Sequence, residues 1–111
     1  MRRAAKRDAN EADIIAHLRA VGASVLQIDD TDAPDLLVGF RGANYLMEVK
    51  MPAGKRGGTS ANGQHLSEGQ EGWHLKWRGA RVAVVRSPDE ALAVIGAVTE
   101  RNADGKPGNW S

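Results

Sequence analysis

Residues 34–50, PDLLVGFRGANYLMEVK, hold two carboxylates and an ammonium at spacings that let them act together: Asp35, Glu48 and Lys50. If the two acids lie directly opposite on neighbouring strands, their Cβ atoms stand about 4.5–5.5 Å apart and the like charges repel. A bound cation offsets that repulsion, and an all-oxygen donor set suits Mg²⁺ or Mn²⁺. Lys50 follows Glu48 by two residues, so it shares that strand face and adds a positive charge beside the ion. A plainer reading competes with this one. Glu-x-Lys by itself is a common strand tripeptide on a solvated face.

Register decides whether the acids meet. Residues 35–40 and 44–50 read as apolar strands joined through Arg41, Gly42 and Ala43, with Gly42 supplying the positive φ of a tight hairpin turn. A two-residue turn of Arg41 and Gly42 sets Phe40 against Ala43 and Asp35 against Glu48. A four-residue loop moves the partner of Asp35 to Lys50, which still shares a face with Glu48. A three-residue loop sends the two acids to opposite faces, because side chains alternate with period two.

Helices and two further strands surround this hairpin. Residues 10–21 carry Ile14, Ile15, Leu18 and Val21 at helical spacing. Asp8 or Asn10 is placed to cap the start, and Gly22 to stop it. Glu11 falls on the same side as that apolar stripe. An acid in a first turn suits the helix dipole; the sharper alternative aims Glu11 at the metal face of the hairpin. His17 reads as a surface or boundary residue. Residues 24–28 form a short strand. Asp29, Asp30 and Asp32 form a solvated turn, lacking the Gly and distal Glu of a Ca²⁺ loop.

Residues 66–77 read as a second helix, with Ser67 and Gln70 in a capping box. Gln70, Trp73, His74 and Trp77 share one face of it. Both tryptophans are expected in the core, and Gln70 is expected to cap while lying near the sheet edge. No histidine pair has ligand spacing on one helix, which argues against zinc. Residues 81–86 form a strand. Ser87 then caps a third helix with Pro88 at its first position, packed through Ala91, Leu92, Val94, Ile95 and Val98. The order α-β-β-β-α-β-α predicts an α/β domain with one mixed β-sheet flanked by helices. The 81–86 strand should run parallel to that of Glu48.

The chain has 111 residues, 41% of them apolar, enough for one domain over residues 10–98 that buries roughly two-thirds of its unfolded surface. Residues 1–9 read as a basic arm and 99–111 as a flexible tail. No run approaches the ~20 apolar residues of a membrane span, and the basic start lacks the apolar stretch of a secretory signal. The chain has no cysteine, which excludes disulfides, thiolate metal sites and a cysteine nucleophile and points to the cytoplasm. The net charge of +1 hides local clustering. Arg2, Arg3, Lys6 and Arg7 make up the arm. Lys55 and Arg56 lie beyond Lys50 in a glycine-rich loop, residues 51–64. Both clusters suit phosphate contacts, and solvating charge at a terminus explains the arm taken alone equally well. The loop is not a P-loop, because Lys55 precedes Gly57 and Gly58.

Pro34-Asp35 followed by Glu48-Val49-Lys50 resembles the core of the PD-(D/E)xK nucleases. Ala33-Pro34-Asp35-Leu36-Leu37, then Met47-Glu48-Val49-Lys50 with Pro52, then Leu66-Ser67-x-x-Gln70-x-x-Trp73, are similar to the VRR-NUC branch, the virus-type replication-repair nucleases. That pattern has a glutamate on the first helix and a glutamine on the helix after the Glu-x-Lys strand; Glu11 and Gln70 occupy those places. The likeness runs from Glu11 to Arg86 and rests on the order and spacing of motifs that are weak singly. The loop after Lys50 is longer than in many members, which bears on substrate geometry.

The resemblance implies a restriction-endonuclease-like core and divalent-metal-dependent endonuclease cleavage of DNA phosphodiesters. For small stand-alone members it implies branched, junction or flap DNA, homodimers, and a setting in phage genomes and DNA repair, in a bacterial or phage-infected cell. Asp35, Glu48 and the Val49 carbonyl would hold Mg²⁺ or Mn²⁺. Lys50 would orient the attacking water, Glu11 would bind the ion directly or through water, and Gln70 would steady Lys50 or a phosphate oxygen. The alternatives are a catalytically inert DNA-binding or assembly module on the same fold, and an interaction domain with solvated hairpin acids.

Overall fold

The hairpin closes through the shortest of the three turns. In the computed structural model, which describes residues 8–52 and 65–97, strands β1 (Ser24–Gln27), β2 (Leu36–Phe40), β3 (Ala43–Val49) and β4 (Ala83–Val85) form one sheet in that spatial order. The first three are antiparallel and β4 runs parallel to β3, so the sheet is mixed, as predicted. Phe40 pairs with Ala43 and Leu36 with Met47. Arg41 and Gly42 both have positive φ, 51° and 83°, the type I′ geometry whose twist matches that of the flanking strands. Gly42 meets this at no cost, whereas Arg41 is a side chain in the left-handed region. Its guanidinium lies over the Phe40 ring, 4.9 Å from the centroid.

Helices α1 (Glu11–Ala20), α2 (Glu68–Lys76) and α3 (Pro88–Ile95) flank the sheet. Alternation along the strands turns Leu36, Val38, Met47, Val49 and Val85 to one face, where Ile14, Ile15 and Leu18 of α1 and Ala91, Leu92 and Ile95 of α3 complete the core. Ser87 caps α3 by accepting from the Glu90 N–H at 3.1 Å, with Pro88 at the helix start. Val94, expected on the packing face, is instead 36% exposed. Ala91, Leu92 and Ile95 already fill the narrow stripe that α3 presents to the sheet and α1. Val98 lies outside the described residues.

Helix α2 departs most from expectation. It buries no residue, and Trp77 is 46% exposed rather than in the core. The reason is the sheet face it meets. Opposite Met47 and Val49, the strand offers Glu48, so α2 sets Gln70 and His74 against it and leaves Trp77 exposed. The rest of that face carries Leu26, Leu37 and Leu46 in one row across three strands. Among the described residues no helix is long and apolar enough to cross a membrane. The basic clusters Arg2, Arg3, Lys6, Arg7 and Lys55, Arg56, and the tail 99–111, lie outside the described residues.

Candidate active site

Asp35 immediately precedes β2, and its backbone is fixed from both neighbours: its N–H donates to the Met47 carbonyl (3.0 Å) and its carbonyl accepts from the Ile28 N–H (2.8 Å). Asp35 Oδ2 accepts from the Val49 N–H at 2.8 Å. The carboxyl therefore lies across the end of β3, beside Glu48, with which it makes a side-chain hydrogen bond. Glu48 is 1% exposed. Burial first, then the charge of Asp35 and the hydrogen bond to it, push the Glu48 carboxyl up to about 9, with Asp8 adding to the rise and Lys50 opposing it. At neutral pH the pair thus holds a proton where a cation would fit.

Lys50 is 9% exposed, and its N–H donates to the Val85 carbonyl of β4 at 3.0 Å. Because strand N–H and C=O groups alternate in direction, Val49 turns both of its own toward Asp35. Asp35, Glu48 and the Val49 carbonyl are therefore a compatible oxygen donor set for Mg²⁺ or Mn²⁺.

Helix α2 braces this end of the sheet. Its capping box is complete: Ser67 Oγ accepts from the Gln70 N–H (3.1 Å), and Gln70 Oε1 accepts from the Ser67 N–H (2.9 Å). The same Oε1 accepts from Lys50 Nζ at 2.9 Å, while Gln70 Nε2 donates to Glu48 Oε2 at 2.9 Å. One amide thus caps a helix and ties the lysine to the glutamate. One turn on, His74 Nε2 stands 3.4 Å from Glu48 Oε1. Burial, then the nearby Lys50 charge, lowers the His74 pKa, so the ring is neutral at neutral pH.

Glu11 is 3% exposed, but it does not join this pair into a trio. Its Oε2 accepts from Gln27 Nε2 at 3.1 Å, and it lines an open groove of about 370 Å³ with Asp8, Ile15, Arg19 and Gln27. Among the described residues no group of three or more His, Asp or Glu side chains is assembled to hold a metal. The alternation that gives β3 its two faces accounts for this. Gln27 sits level with Leu36, on the α1 side, whereas Glu48 faces α2.

Two residues at the start of α1 have roles that helix capping does not reveal. Asn10 takes the N-cap position without a side-chain cap. Its Nδ2 donates instead to the Lys50 carbonyl (3.1 Å) and the Arg86 carbonyl (2.8 Å), fastening α1 to the ends of β3 and β4. Asp8 lies within the field of Lys50 and Asp35, and its pKa is raised chiefly by burial. The only sequence signal for His74 is its place one helical turn beyond Gln70. Asp8 and Asn10 carry none beyond their nearness to Glu11.

No family model, curated protein or solved structure matches the chain significantly.

Proposed function

We propose that this chain is a divalent-metal-dependent DNA endonuclease of the PD-(D/E)xK kind, allied to the VRR-NUC branch, with a restriction-endonuclease-like core. One observation carries the reading: two carboxyls at the end of β3 share a hydrogen bond, and a lysine is tied to one of them through a single glutamine. A binding module has no need of an acid pair turned toward a phosphate.

Asp35, Glu48 and the Val49 carbonyl would hold the ion. The chemistry such an ion would supply is Lewis acidity toward a phosphate oxygen and toward a water. Lys50 would orient the attacking water and stabilise the negative charge that develops on the phosphate. Gln70 keeps the ammonium from collapsing onto Glu48 by accepting from one and donating to the other. DNA with branches or flaps is the proposed substrate, and a homodimer the proposed assembly.

The test is cleavage of a panel of linear, flapped and branched DNAs with Mg²⁺ or Mn²⁺. The parent is expected to cut the structured DNAs fastest. Asp35→Ala, Glu48→Ala and Lys50→Ala should each lose on the order of 10²-fold or more in rate, with unchanged circular dichroism. Undiminished cleavage by purified Glu48→Ala would count decisively against the reading.

A further inference from the structure

The two tryptophans that leave the core form a surface of their own. Trp73 and Trp77 stack with centroids 4.7 Å apart and ring planes 13° from parallel. Trp77 is 46% exposed, so the stack presents indole to solvent. The backbone at Gly79 presses on its edge: a Cβ there would fall 2.7 Å from Trp77 Nε1. Trp77 is thus stacked on a ring and lies beside the Gly79 backbone, so that a flat partner would cost it little rotamer freedom.

The surroundings indicate the partner. Lys76 and Arg78 flank Trp77 in the chain and Arg81 follows shortly after, all three exposed. A flat apolar ring with exposed cations at adjacent and nearby chain positions matches a nucleobase with its phosphates. The stack is also continuous with the acid pair. Trp73 meets His74 edge-to-face at 6.4 Å, and His74 Nε2 stands 3.4 Å from Glu48 Oε1.

We propose that Trp77, backed by Trp73, is a stacking platform for an unpaired base of the DNA substrate, with Lys76, Arg78 and Arg81 on the adjoining phosphates. This rests on the reading of the substrate as DNA and goes further: the strand next to the acid pair is single. Paired bases hide their faces within the duplex, so the platform selects unpaired nucleotides.

Binding is measured by tryptophan fluorescence in EDTA, where no cleavage occurs. The full chain carries Trp110→Phe, which leaves Trp73 and Trp77 as its indoles. Oligothymidylate is expected to quench the fluorescence and bind more tightly than a hairpin duplex. Trp77→Leu, apolar but without a π-face, should lose roughly 5- to 150-fold in affinity, the worth of one base–aromatic stack, whereas Trp77→Phe keeps most of it. Lys76→Gln with Arg78→Gln, both at exposed positions, should flatten the dependence of log affinity on log salt by about 0.7 for each phosphate no longer neutralised. Parent-like affinity in a folded Trp77→Leu protein, equal binding of duplex and single strand, or an unchanged salt slope overturns the proposal. A parent that binds single strands with quenching but never cleaves would sink the nuclease reading and leave the platform standing. A parent that cleaves, beside a Trp77→Leu variant that binds as well as it does, sinks the platform alone.

Discussion

Glu48 is gripped by α2 at both carboxylate oxygens, by Gln70 at 2.9 Å and with His74 at 3.4 Å, while Asp35 crowds it from the start of β2. A carboxyl raised from 4.5 to about 9 binds its proton in the folded chain over a range where the unfolded chain has released it. Between those limits the folded state holds more protons, so the free energy of unfolding falls as pH rises. His74, with a lowered pKa, acts in the opposite direction but only below its ordinary 6.5. The window from about pH 7 to about pH 9 therefore belongs to Glu48. In EDTA the Tm is expected to fall across that window, and Glu48→Gln to flatten the fall. Mn²⁺ should raise the Tm by stabilising the folded form alone. A Tm that is level across the same window in the parent, and indifferent to Mn²⁺, would show that the pair carries no such strain.

At the scale of elements, the site depends on a turn of two residues and on a helix start. Adding one glycine between Arg41 and Gly42 shifts the ladder by one, and period two then sends Asp35 and Glu48 to opposite faces. The expected result is loss of Mn²⁺ stabilisation and of cleavage, read by melting and by the DNA panel. Asn10 is the second support. Asn10→Ala removes both hydrogen bonds to the Lys50 and Arg86 carbonyls. It should cost about 1–3 kcal/mol in urea unfolding, and it should lower the cleavage rate by loosening the backbone that carries Lys50. The hairpin was legible because turn chemistry is local: a glycine with positive φ and two apolar runs determine it. The capping box of Ser67 and Gln70 was legible for the same reason. Asn10 was not, since an asparagine before a helix reads as a cap until the strands that compete for its amide are known.

On the scale of the whole molecule, the sheet is packed unequally. One face meets α1 and α3 through a continuous apolar core, whereas the other meets a helix with no buried residue. Leu36→Ala, at 0% exposure, is expected to cost about 2–5 kcal/mol. Leu26→Ser, at 60% exposure on the other face, should stay within about 0.5 kcal/mol. Equal losses at the two sites, measured by denaturant unfolding, would contradict a one-sided core.

By itself the sequence determined the order of elements, the parallel return of β4, and the sharing of a face by Glu48 and Lys50; which of three turns closes the hairpin was decided by the structure. The elements and the shared face follow from periodicity within a few residues, and the parallel return from the helical crossover between β3 and β4. Only the tertiary structure decided which side of each helix meets the sheet. Helical spacing groups Gln70, Trp73, His74 and Trp77 without saying what lies opposite, and a buried Glu48 drew Gln70 and His74 to itself while Trp73 stayed half-buried and Trp77 exposed. Glu11 was placed in the same way: its stripe faces the apolar side of the sheet, where its carboxylate accepts from Gln27.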